Sequence, residues 1–186
     1  IRDHAHDRTT AWALSTSNSL FDIEVHSQDI AVPLGRDFPV PPDDAVLGNP
    51  GQGFPILGSA LDMGRFSVAA RCVGQAQRCI DLAVPYALER SAFGQKIGEF
   101  QLIQQKITDM ICRTQQARHV VYQLGRMKDA GVERCSMEAS MAKLFASEAA
   151  HLATDTALQL HGGAGYIKGS LVERLARDVR VTRLYE

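Results

Sequence analysis

Little in this 186-residue chain favours a disulfide scaffold, a membrane span or a polyanion binder. It has four cysteines, too few to staple a domain of this size. Cys72, Cys79 and Cys112 also fall inside apolar helical patterns, which suits reduced thiols in a reducing compartment. No apolar run reaches the roughly 18 residues that a bilayer span needs. Twenty Lys+Arg stand against twenty-one Asp+Glu, a formal net charge of −1, which argues against a general nucleic-acid or polybasic membrane binder. The sequence contains no C-x-x-C, H-E-x-x-H or G-x-S-x-G, so neither a metal site nor a hydrolase elbow is expected. Asp3, His4, His6 and Asp7 cluster only in a polar end, and His119 and His151 read as ordinary helix-face residues. Ile1-Arg2-Asp3 is neither an initiator Met nor a signal peptide, so the chain is expected to be an excerpt or a processed product.

What is present is enough apolar residue, 45%, for one core. Residues 1–54 hold five of the seven prolines, with short alternating runs such as Leu20–His26 and Ile30–Val32. They read as the remnant of a β domain plus a linker, closing on a turn at 48–53. From 55 to 186 the period becomes helical. A first helix is expected over about 55–90, with Leu61, Ala69, Val73, Ala76, Ile80, Ala83 and Ala87 on one stripe and a kink at Pro85. A second is expected over about 99–129, with Ile103, Ile107, Met110, Thr114, Ala117, Val121 and Leu124 inward and Gly131 as its stop. A third is expected over about 137–160, capped by Ser136 and lined by seven alanines from Ala139 to Ala157. A short fourth starts at Ser170, where Ser170 and Glu173 have capping-box spacing. The fold expected is all-α, an antiparallel bundle whose closing helix belongs after Glu186.

Four places carry candidate chemistry. Around Arg90, Phe93 and Gly94 a helix end offers a guanidinium fork for phosphate and a ring face for stacking. The plainer alternative is a charged helix end with its Phe tucked into the core. Gln159-Leu160-His161-Gly162-Gly163-Ala164-Gly165 is richer in glycine than a helix stop requires, and its N–H groups could cradle an anion. No strand precedes it, so a Rossmann reading fails. Asp62 and Arg65 share a helix face and read locally as a surface ion pair. Nothing local makes Glu186 a base.

Taken in order, these segments resemble the C-terminal half of an acyl-CoA dehydrogenase of the short- and medium-chain flavoprotein type. The matching pieces are Val40–Gly48, Gly51–Phe54, Leu61-Asp62-Met63-Gly64-Arg65, Tyr86–Gly94 with Phe100-Gln101, Ala142–Leu144, Gln159–Gly165, Arg177-Asp178 and Leu184-Tyr185-Glu186. Residues 1–38 match poorly. The resemblance implies a helical bundle that binds FAD across a subunit interface. It implies Arg90 and Phe93 at the flavin pyrophosphate and adenine, and Gln101 as another flavin contact. Gln159, Leu160, His161, Gly162 and Gly163 would follow the adenosine moiety. Asp62, Arg65 and Tyr185 would lie near the acyl-CoA.

Glu186 resembles the base that takes the α-proton while hydride leaves Cβ for flavin N5. Such a carboxylate needs the thioester oxygen hydrogen-bonded and its own pKa raised by an apolar neighbourhood. In the isovaleryl-CoA branch the base sits in the first-helix motif, where this chain has Gly64. The resemblance further implies an acyl-CoA substrate, electron-transferring flavoprotein as acceptor, and a homodimer or homotetramer. It places the protein in a bacterial cytoplasm or a mitochondrial matrix and not outside the cell. Two alternatives are a non-catalytic helical assembly module and an acyl-CoA oxidase.

Overall fold

The computed structural model describes residues 53–185; the β-like runs, the proline-rich segment and Glu186 lie outside the described residues. Helix α1 spans Gly53–Glu89, α2 Gln101–Asp129 and α3 Ser136–His161. A hairpin of β1 (Ser91–Ala92) and β2 (Gln95–Lys96), then a 3-10 turn at Ile97–Glu99, joins α1 to α2. After α3 come a single turn α4 (Gly163–Tyr166), α5 (Leu171–Arg180) and a 3-10 turn at Val181–Arg183. Among the described residues no helix is long and apolar enough to cross a membrane.

Cross-helix contacts fix the directions. On α1 and α2, Gly125 faces the Phe66 ring and Arg118 donates to Gln77 at 2.7 Å, so the numbers run oppositely. On α1 and α3, Ser136 meets Asp62 at one end and His161 meets Tyr86 at the other, so these two run alike. The bundle is therefore up-down-up, with α5 packed on α3.

The expected stripes are the observed core. Ala69, Val73, Ala76, Ile80, Ala83 and Ala87 of α1 are buried, joined by Val68, Cys72 and Cys79. Met110, Thr114, Ala117, Val121 and Leu124 of α2 are buried, with Ile103 and Ile107 packed against them. All seven alanines of α3 are buried, the small surface that lets neighbouring helices approach. Cys112 corrects the expectation: it is exposed, because it falls off the Met110–Thr114 stripe by half a turn.

Helix ends explain where the chain turns. At the end of α2 the Val132 N–H donates to Met127 O and the Gly131 N–H to Lys128 O, both at 3.0 Å. Gly131 is left-handed at φ +79°, so this is the Schellman stop its sequence position suggested. The expected caps of α3 and α5 are different. Cys135 occupies the N-cap of α3. Ser136 is already helical and gives its hydroxyl to Asp62, a tertiary bond that outcompetes the local one. Ser170 does sit at the N-cap of α5, but its side chain makes no cap bond, and Glu173 pairs forward with Arg177 instead of reaching back. Helix α1 continues through Pro85 to Glu89.

Candidate functional site

The hairpin after α1 is built by the helix end itself. Lys96 places its ammonium 2.7 Å from Glu89 O, satisfying a terminal carbonyl with a cation. Ile97 N–H donates to Arg90 O at 2.9 Å, and Gln104 reaches back to Gly98 O at 3.0 Å. Gly98 lies so close to the helix that a Cβ there would stand 3.0 Å from Ala87 O. The two-residue loop is Phe93-Gly94, with φ of +54° and +86°. Both signs are those of a type I′ turn, the form that matches strand twist. Glycine takes this conformation freely, whereas phenylalanine is strained by it.

Phe93 is 97% exposed, with the Phe100 ring edge-on to it at a 6.4 Å centroid distance. The reading in which this ring is tucked into the core is therefore overturned. An apolar ring is held out to solvent on a strained turn, three residues from an exposed Arg90. No ion pair among the described residues uses Arg90. Gln101 opens α2 immediately after the hairpin and is exposed.

The glycine-rich segment lies at the same end of the bundle. The His161 ring stacks on Tyr86, centroids 4.2 Å apart, one turn before Arg90 on α1. His161 Nδ1 is 2.7 Å from Ala157 O, and the Tyr86 hydroxyl donates to His161 O at 3.4 Å. Gly162 ends α3 at φ +56°; Gly163 and Gly165 then form the single turn α4 with ordinary helical φ, not an open loop of left-handed glycines. Gly163 and Gln159 are exposed, while the Leu160 side chain belongs to the core at 6% exposure. A Cβ on Gly165 would meet His161 Cβ at 2.7 Å and Leu158 O at 3.0 Å, so this glycine answers to packing.

Asp62 and Arg65 form the expected i,i+3 pair at 3.2 Å. The pair also ties α1 to α3, since Asp62 accepts from Ser136 and Arg65 donates to Ser140 at 3.3 Å. Tyr185 is half-buried against the core. Its hydroxyl accepts from Arg71, and its main-chain oxygen accepts from Lys143 at 2.5 Å. Neither partner was among the expected site residues. Arg71 has no signal in sequence. Lys143 has one: it shares the Ala139–Ala146–Ala150 stripe, where a lysine must find partners. Its side chain is buried, and its ammonium also lies 5.8 Å from the Tyr185 ring centre.

Burial pushes the Cys79 thiol up from 9.0 to about 12. Burial raises Cys72 as well, moderated by a hydrogen bond with Thr182 and by the nearby Arg71 and Lys143 charges.

The chain is similar to one family model and to several known proteins. Residues 51–186 match the family model described as "Acyl-CoA dehydrogenase, C-terminal domain". An acyl-CoA dehydrogenase of Bacillus subtilis is 44% identical over 145 residues, 78% of this chain and 38% of that protein. A short-chain specific mitochondrial acyl-CoA dehydrogenase of Bos taurus is also 44% identical over 145 residues, 78% of this chain and 35% of that one. The chain thus spans little more than a third of the length of the curated relatives it matches. Among solved structures, butyryl-CoA dehydrogenase from Megasphaera elsdenii superposes with a TM-score of 0.74 at 37% identity, covering 77% of this chain and 37% of that one. An acyl-CoA dehydrogenase from Bacillus anthracis complexed with FAD superposes with a TM-score of 0.72 at 31% identity, covering 77% and 28%. The chain belongs to the acyl-CoA dehydrogenase family, and its helical body is that family's C-terminal domain.

Proposed function

We propose that this chain supplies the helical part of an FAD-dependent enzyme that removes hydrogen from Cα and Cβ of an acyl-CoA thioester. The observation that carries the reading is Phe93, almost wholly exposed on a strained turn beside Arg90. A dinucleotide needs a cation at its pyrophosphate and an apolar face for a ring, and the hairpin offers both. The residues therefore fit the cofactor. Arg90 and Phe93 would hold the pyrophosphate and adenine of a flavin seated largely on a partner subunit. Gln101 adds a polar contact, and Gln159, Leu160, His161, Gly162 and Gly163 follow the adenosine, Leu160 through its backbone.

Bound FAD supplies the acceptor for the β-hydride. The chain's own residues supply the rest. Glu186 takes the α-proton. Arg65, whose two bonds here use Nη1 alone, keeps other N–H donors for the pantetheine arm, with Asp62 orienting it. Tyr185 walls the acyl chain. Electron-transferring flavoprotein reoxidises the enzyme, which works as a homodimer or homotetramer in a bacterial cytoplasm or a mitochondrial matrix.

The test is purification of the full-length protein. Flavin absorbance and dye reduction with a saturated acyl-CoA are expected; absence of both ends the proposal. Oxygen consumption in place of dye reduction would move the protein to the oxidases. A second reading, a helical assembly module without catalysis, has one observation in its favour. Met137, Met141 and Leu144 form an apolar row on α3 at 57–67% exposure, the kind of surface another subunit covers. Equilibrium dialysis of the 186-residue chain against FAD separates the two, since binding at micromolar or tighter removes the second.

A further inference from the structure

We infer that Lys143 is a positioning residue for the catalytic carboxylate, acting through the main chain of Tyr185; the inference rests on the reading of Glu186 as the base. Lys143 is one of five buried polar or charged residues among those described, and the only one that carries a charge. A buried ammonium is retained only where it finds acceptors. The acceptor here is the Tyr185 carbonyl oxygen at 2.5 Å, with the Tyr185 ring 5.8 Å away as a second, weaker one.

That carbonyl belongs to the peptide unit joining Tyr185 to Glu186. A peptide unit is planar, so holding its oxygen holds the plane that carries the Glu186 Cα. A lysine that bonded a side chain would leave this plane free.

The neighbouring contacts share the task. Arg71 of α1 holds the Tyr185 hydroxyl, so the residue is gripped at both its ring tip and its backbone. Thr182 is fully buried, donates to Val179 O at 2.7 Å and meets Cys72 of α1. Arg183 pairs with Glu148 of α3 at 2.8 Å. Residues 182–185 are thus tied by side chains to two long helices just before the base. Catalytic groups need placement within a fraction of an ångström, and about 1 Å of error costs on the order of 100-fold.

The experiment uses the full-length flavoprotein with butyryl-CoA as substrate, comparing Lys143→Met, Lys143→Arg and Glu186→Gln. Lys143→Met keeps the side-chain length and removes the donor. We expect its flavin content and KM to stay within about threefold of wild type while kcat falls about tenfold or more. Lys143→Arg, which keeps a cation and a donor, recovers part of that loss. A merely structural lysine would lower stability or flavin content and leave the kcat of the folded fraction alone. A kcat within about fivefold of wild type, or a loss carried by KM, overturns the inference. If Lys143→Met gives no folded flavoprotein, Lys143→Gln decides, because its amide keeps a polar group in the buried site but is one bond too short to hold the Tyr185 carbonyl. A fall in kcat of about threefold or more at unchanged KM then supports the role, and unchanged kcat overturns it. Glu186→Gln keeps the two claims apart. Full turnover in that variant defeats the base assignment and this inference with it. Its inactivity beside a Lys143→Met of normal kcat defeats the positioning role alone.

Discussion

Gly165→Ala should destabilise the protein, and Gly163→Ala, two residues away, should not. At Gly165 the added methyl would stand 2.7 Å from His161 Cβ, 3.0 Å from Leu158 O and 3.5 Å from Leu158 Cα. Relaxed contacts between carbon atoms lie near 3.5–4.0 Å, so α4 and the end of α3 must separate by roughly 1 Å. Two of the three obstacles are main-chain atoms, which cannot step aside by changing rotamer. Overpacking of this kind costs about 1–3 kcal/mol. The helical φ at this position means that alanine regains something under 1 kcal/mol of chain entropy. The net expectation is about 1–2 kcal/mol of lost stability. At Gly163 a Cβ meets nothing within 4 Å and φ is also not left-handed, so alanine should be neutral or stabilise by up to about 1 kcal/mol. Urea unfolding at matched m values measures both. The displaced atom in Gly165→Ala belongs to His161, which stacks on Tyr86, so weaker FAD retention should accompany the loss. In Gly163→Ala, FAD retention should fall with no loss of stability, because the methyl intrudes on the proposed cradle alone. A Gly165→Ala protein as stable as wild type would refute the packing argument.

Other expectations follow from single contacts. Phe93→Asn should raise stability by about 1 kcal/mol, since Asn-Gly suits a type I′ turn, and should weaken FAD binding; equal FAD affinity in the variant would remove the stacking role. Asp62→Ala should cost about 1–2 kcal/mol in urea unfolding by releasing Ser136 and Arg65 together, whereas a change under a few tenths would mean the α1–α3 tie is idle. Cys112 should react with a thiol reagent at pH 8 in the native state while Cys72, Cys79 and Cys135 stay protected, as mass mapping would read. Cys79 binds its proton more tightly folded than unfolded. Its contribution is therefore full below pH 9 and lost as the pH rises from 9 toward about 12, and Cys79→Ser should flatten that alkaline decline.

The long helices were legible because their signal is periodic and redundant. Six of the seven expected α1 stripe residues are buried, and one misplaced residue would not have hidden the pattern. Leu61, the seventh, is half-buried near the start of the body. The stop at Gly131 was legible for another reason, since a left-handed residue at a helix end has few alternatives to glycine. The cap of α3 is not legible, because Ser136 has two possible partners and sequence shows only the local one. Phe93 was ambiguous for the same kind of reason. A Phe beside a helix end is core or surface according to backbone φ at that residue, which only the hairpin geometry reveals. The excess glycines of 162–165 suggested an open cradle, but Gly165 is there to let α4 close on α3. Lys143 could have been singled out from its place on the alanine stripe; Arg71 could not, because its partner is 114 residues away.

The most direct test of the whole account is Glu186→Gln in the full-length flavoprotein. The amide keeps the size of the side chain and cannot accept the α-proton. FAD content and acyl-CoA binding are expected to stay close to wild type, with turnover reduced by about a thousandfold or more. Turnover equal to wild type, with flavin bound, would contradict it.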